Sequence, residues 1–213
     1  MNANPARSLV VVSAGLSQPS STRLLADRLS AAVDRLLRDG GLEARIEVIE
    51  LRDHAHDLTN NLLAGFPNPR LQAALDAVRS ADGLIAVTPI FSASYSGLFK
   101  MFFDVVDRDG LAEKPVLIAA TGGTARHSLA IEHAVRPLFA YLNAAVVATG
   151  VYAATEDWGG AGLTADGSLV ERIERAAREL AAAMAARTSQ PSTDPFADAT
   201  PFDEVLRSNA PTD

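Results

Sequence analysis

Three short stretches hold side chains and backbone groups suited to gripping a small ligand. The first is Ser13-Ala14-Gly15-Leu16-Ser17-Gln18-Pro19-Ser20-Ser21-Thr22-Arg23. It sets hydroxyls and a glycine where a helix begins. Free N–H groups at a helix N-terminus favour an anion, and small hydroxyls add donors without bulk. That chemistry suits a phosphate monoester. The plainer alternative is ordinary N-capping by Ser20 or Ser21. The second stretch is Thr88-Pro89-Ile90-Phe91-Ser92-Ala93-Ser94-Tyr95-Ser96-Gly97. Proline fixes φ and donates no backbone hydrogen bond, which suits a strand end. Phe91 beside amides and hydroxyls offers a surface for a flat heteroaromatic ring, unless Phe91 and Tyr95 are core or interface aromatics. The third is Thr121-Gly122-Gly123-Thr124. Paired glycines let backbone approach a ligand closely, or simply make a turn.

Other residues look chemical but lack the required pattern. Neither G-x-x-x-x-G-K-[ST] nor G-x-G-x-x-G is present in the first loop, which disfavours a nucleoside triphosphate site and a common dinucleotide fold. Ser94-Tyr95-Ser96-Gly97 is not a nucleophile elbow, which needs glycines flanking a central serine. In Asp53-His54-Ala55-His56-Asp57 the two histidines are two apart and diverge on a helix, so a solvated segment is expected rather than a metal site. His127 and His133 are six apart and equally off-face. Glu156-Asp157-Trp158-Gly159 reads as a surface turn, with a site or oligomer border as the alternative. No metal ligand set and no catalytic acid or base is assigned.

These stretches gain meaning from the elements between them. Apolar strands are expected at 8–13, 44–51, 83–88, 115–120 and 144–149. Helical periodicity covers 20–39, loosely 52–64, then 70–80, 94–107, 125–141 and 168–186. Alternating strands and helices, with strands mostly apolar throughout, predict an α/β fold with a doubly wound parallel sheet of five strands. Right-handed crossovers then gather the three loops along the carboxyl edge of that sheet. Each loop alone is a weak signal; their shared edge is the stronger one.

Composition bounds the rest. The 213 residues are 48% apolar and 21% charged, enough for one ample domain, expected over 1–187. A polar, proline-rich tail is expected over 188–213. A net charge of −7 argues against nonspecific nucleic-acid binding. With no cysteine there are no disulfides, thiolate nucleophiles or cysteine-ligated metals. The N-terminus lacks a signal-peptide segment and no apolar run reaches a membrane span, so a cytoplasmic protein is expected.

Taken together, the motifs resemble the NAD(P)H-dependent FMN reductases of the flavodoxin-like superfamily. The similarity is greatest to the reductases that supply two-component, luciferase-like monooxygenases, and it covers roughly residues 8–158. Its carriers are Gly15 to Thr22, then Pro89, Phe91, Ser96, Gly97 and Lys100, then Thr121-Gly122-Gly123. The second group is the most specific. Two positions depart from the pattern: Ser17 stands where many relatives have arginine, and Ser92 where many have asparagine.

The resemblance implies strand order 2-1-3-4-5 and hydride transfer from nicotinamide C4 to flavin N5, with the protein holding both rings in contact. It assigns Ser17, Ser20, Ser21 and Thr22 to the FMN phosphate. Pro89, Ile90, Phe91 and Ser92 border the ring on one side, and Thr121, Gly122 and Gly123 on another. Arg126 and His127 are placed to meet NAD(P)H, or else face solvent. A homodimer or homotetramer and a flavin-dependent monooxygenase partner are also implied. Competing readings are a non-enzymatic FMN electron carrier, a quinone or azo reductase of the same fold, and a ligand-free scaffold.

Overall fold

The computed structural model describes residues 6–159 and 168–187. The expected tail at 188–213 lies outside the described residues. The central sheet begins with β1 (Ala6–Ser13), β2 (Glu43–Glu50), β3 (Gly83–Phe91) and β5 (Pro115–Gly122), all parallel. A short β4 (Ser94–Tyr95) folds back antiparallel on β3. At the far edge stand β6 (Ala145–Val146) and β7 (Val151–Ala154), both pairing with β5. The order β2-β1-β3-β5-β6 is the expected 2-1-3-4-5, with strand five in two pieces.

The inner strands β1, β3 and β5 are apolar on both faces because both are covered, while the edge strand β2 stays largely exposed. Leu9, Val11, Ile85, Val87, Leu117 and Ala119 pack under α1 (Ser21–Asp39) and α6 (Leu169–Ala186). Val10, Val12, Leu84, Ala86 and Ile118 face the opposite way. There they meet α2 (Ala55–Ala64), α3 (Pro69–Ser80), α4 (Gly97–Val105) and α5 (Arg136–Tyr141). Residues i and i+2 of a strand share a face, so an unbroken apolar run divides its burial between two cores. On the second face Phe103 sits 4.7 Å from Phe99 and 4.8 Å from Phe139, ring centre to ring centre. These contacts anchor α4 and α5 to each other.

Several boundaries differ from the sequence expectation, each for a local reason. The helix expected from Ser94 begins only at Gly97. The Thr88 hydroxyl accepts the Ser96 N–H (3.0 Å), and the Ser96 hydroxyl then caps the Phe99 N–H (3.2 Å), so residues 94–96 are spent on a hairpin. Strand three also runs past Thr88: Pro89 stays in register opposite Thr121. The helix expected over 125–141 is broken into a 3-10 turn at Ala125–His127, a π turn at Ile131–Val135 and then α5. Pro137 has no N–H to return to the carbonyl of residue 133, so the regular ladder cannot continue through it. Strand five does not end at Thr149. After Val147, whose N–H still reaches Val116 O at 2.9 Å, the chain leaves the sheet, and Glu179 of α6 accepts both the backbone N–H and the hydroxyl of Thr149 at 2.7 Å. The chain rejoins at Val151 and pairs with Ala119 to Gly122.

Candidate functional site

Strands β1, β3 and β5 are consecutive in the sheet, so the loops that follow them meet at one carboxyl edge. Strand order reverses between β1 and β3, the place where open α/β sheets form a ligand crevice.

The loop after β1 is tied down at its root, where the Ala14 N–H donates to Val87 O at 2.9 Å. It then runs exposed from Leu16 to Pro19. The Ser20 hydroxyl caps α1 by accepting the Arg23 N–H at 3.2 Å, which leaves its own hydrogen free to donate. A β-carbon on Gly15 would lie 2.1 Å from that hydroxyl oxygen, so any larger residue displaces the capping hydroxyl. Ser17 and Ser21 are exposed beside the helix end. Thr22 points inward instead: it is 3% exposed and its hydroxyl meets that of Thr121 at 2.8 Å. Beneath them the buried hydroxyl of Ser13 has no protein partner. No carboxylate occurs between residues 13 and 23, and nearby Glu50 is held by Arg23 at 2.6 Å. Free helix N–H groups, surplus hydroxyl hydrogens and an absence of negative charge make an anion site that suits the phosphate of a flavin mononucleotide.

The second loop is the tip of the β3–β4 hairpin. Phe91 is half exposed, and Ser92 and Ala93 turn the chain with φ of 49° and 67°. Thr88 is fully buried and fastens the hairpin base. Pro89 is buried, Ile90 partly so, and Lys100 pairs with Asp104 on the outer side of α4.

The third loop follows β5. Thr121 is buried, while Gly123 is exposed with open space where a β-carbon would be. Gly122 is different, because its β-carbon would lie 2.0 Å from the Tyr152 hydroxyl. That hydroxyl donates to Thr124 O at 2.8 Å. Tyr152 lies beyond the strand expected at 144–149, so the sequence pattern does not point to it. The run Val151-Tyr152-Ala153-Ala154, directly after Gly150, was the available signal. Arg126 and His127 lie exposed in the next 3-10 turn.

Comparison with known proteins now decides the family. Residues 8–159 match the family described as NADPH-dependent FMN reductase. The chain belongs to that family. It is similar to the FMN reductase (NADPH) of Pseudomonas aeruginosa, 41% identical over 150 residues, covering 70% of this chain and 78% of the relative. The NADH-dependent FMN reductase SfnF of Pseudomonas fluorescens is 37% identical over 173 residues, covering 81% and 89%. Among solved structures, an oxidoreductase from Corynebacterium diphtheriae superposes with a TM-score of 0.82 at 45% identity, covering 87% of this chain and all of its own. The apo NADH:FMN oxidoreductase EMOB superposes at 0.71 with 30% identity, covering 88% and 93%. The fold is flavodoxin-like, and this reductase is an oxidoreductase that uses FMN with NAD(P)H as reductant.

In this FMN reductase the remaining tempting groups have structural partners of their own. His54 is nearly buried after β2; burial, then the Arg70 charge, pushes its pKa below the usual histidine value. Its Nδ1 lies 3.7 Å from Asp57, and no cluster of three potential metal ligands forms among the described residues. Asp157 is spent structurally, accepting the Ala154 N–H and pairing with Arg172, each at 2.7 Å. No helix among the described residues is long and apolar enough to cross a membrane.

Proposed function

We propose that the three loops form one flavin site and that the reductase releases reduced FMN to a separate flavin-dependent monooxygenase. The single observation that carries the site is the Thr22–Thr121 hydroxyl contact at 2.8 Å, which fastens the phosphate loop to the glycine loop. Ser17, Ser20 and Ser21 donate hydroxyls to the phosphate. The buried Thr22 side chain braces the cradle, and its residue contributes through the helix N-terminus. Pro89, Ile90, Phe91 and Ser92 border one side of the isoalloxazine ring; Thr121, Gly122 and Gly123 border another. Arg126 and His127, both exposed beside the glycine loop, meet the nicotinamide nucleotide.

Bound FMN supplies the hydride acceptor, and the chain's own task is to hold and orient. Backbone N–H groups of the hairpin and glycine loop stabilise negative charge on the pyrimidine edge. No protein acid or base is needed for hydride transfer, and none is assigned. Release to a partner is supported by the open setting of the site: Phe91 is 49% exposed and Gly123 faces open space. We infer work in the cytoplasm, where NAD(P)H is at hand, and a homodimer or homotetramer.

The test is steady-state oxidation of NADH and NADPH with FMN as the varied acceptor, beside the same assay with a quinone. FMN is expected to be reduced efficiently, with free reduced flavin trapped by an added monooxygenase. Efficient quinone turnover with FMN retained on the protein would defeat the release reading.

A further inference from the structure

We propose that Tyr152 is a positioning residue for flavin binding, setting the shape of the 121–124 loop through its hydroxyl. This rests on the assignment of that loop to the ring. Tyr152 stands on β7, opposite Ala120 in register, one strand away from the loop it controls. It is 8% exposed. Its hydroxyl makes two kinds of contact with the loop. It donates to the Thr124 carbonyl at 2.8 Å, fixing the loop's far end. It also fills the space where residue 122 would carry a β-carbon, fixing the near end against Gly122. One oxygen atom thereby determines the path of the backbone between the two ends.

The tyrosine is itself held from behind. β7 is only four residues long and the chain turns immediately after it. Asp157 secures that turn through the Ala154 N–H and is tied to α6 through Arg172. Burial, then the Asp157 charge, raises the phenol pKa, so the hydroxyl remains a donor throughout the neutral range. The phenol acts on the loop through Gly122 and Thr124.

The experiment compares Tyr152→Phe, Gly122→Ala, the two combined, and Gly123→Glu in the full chain. Readouts are FMN dissociation constant, KM for FMN, kcat and melting temperature. Tyr152→Phe removes one hydrogen bond to the loop and should raise KM and Kd for FMN about fivefold, with a smaller fall in kcat. Gly122→Ala should weaken FMN binding further. Adding Tyr152→Phe to it should recover part of that loss, because the overlap with oxygen at 2.0 Å is replaced by a tight contact with ring carbon at 3.0 Å. Should Gly122→Ala fail to fold, Tyr152→Phe alone decides. Gly123→Glu tests the loop assignment separately, since its side chain enters open space. If Gly123→Glu weakens FMN but Tyr152→Phe leaves FMN binding unchanged, or only lowers the melting temperature, the positioning role is overturned and the loop assignment stands. If Gly123→Glu has no effect, both fall.

Discussion

The hydroxyls of Thr22 and Thr121 meet at 2.8 Å across 99 residues of chain, both buried. One must donate to the other, so each is satisfied only while its partner is present. Replacing Thr22 alone with Val leaves the Thr121 hydroxyl buried and unpaired, at a cost of roughly 1–3 kcal/mol. Replacing both should cost less than the sum of the single changes. Urea denaturation of the two single variants and the double variant measures this coupling; strict additivity would mean the contact does not form.

Gly15 and Ser20 are expected to separate stability from binding. Gly15→Ala pushes a β-carbon onto the Ser20 hydroxyl and should disturb the cap of α1, costing about 1 kcal/mol. Adding Ser20→Gly relieves the clash and should restore most of the melting temperature. FMN affinity should stay about tenfold weaker, because a charge-assisted hydroxyl donor has been removed. Calorimetry and flavin titration on the same samples check both halves.

Ala93 carries a left-handed φ of 67° that an L-residue with a β-carbon resists. Ala93→Gly should stabilise the fold by roughly 0.5–1 kcal/mol. A chemical-denaturation midpoint below the parent would contradict it.

Lys114 is 2% exposed, and its ammonium donates to Arg79 O and Ala81 O at 2.9 and 2.6 Å, at the end of α3. Burial, then the Arg187 charge, lowers its pKa from 10.5 to about 8. The folded pKa lies below the unfolded one, so the unfolded chain binds more protons between these values and stability rises with pH across that window. The penalty is complete below pH 8 and gone above 10.5, amounting to roughly 3 kcal/mol. Denaturation midpoints at pH 7.5 and 9.5 should rise for the parent relative to Lys114→Met, in which this pH dependence disappears.

The parallel α/β sheet and the meeting of three loops were legible in the sequence, because apolar strands alternating with helices leave few topologies; the strand order came with the family resemblance. Less legible was everything set by contacts between distant residues. Thr22 reads like Ser20 and Ser21 in the chain; only Thr121, brought alongside by the sheet, turns it inward. Tyr152 was hidden by a strand that leaves the sheet and returns, an interruption clamped by Glu179 on a helix thirty residues later. The hairpin at 94–96 was hidden because Thr88 and Ser96 compete successfully with helix initiation through two hydroxyls.

The open space beside Gly123 and the exposed hairpin tip bear on how the protein can be remodelled. Residues 91, 92 and 123 touch little of the protein's own interior, so a library at these positions can vary acceptor preference without eroding the scaffold. Residues 15 and 122 offer no such latitude, since an oxygen of Ser20 or Tyr152 already occupies the room a larger side chain would need. Directed evolution of a new acceptor would therefore advance along the rim of the crevice and stall at these two fixed points.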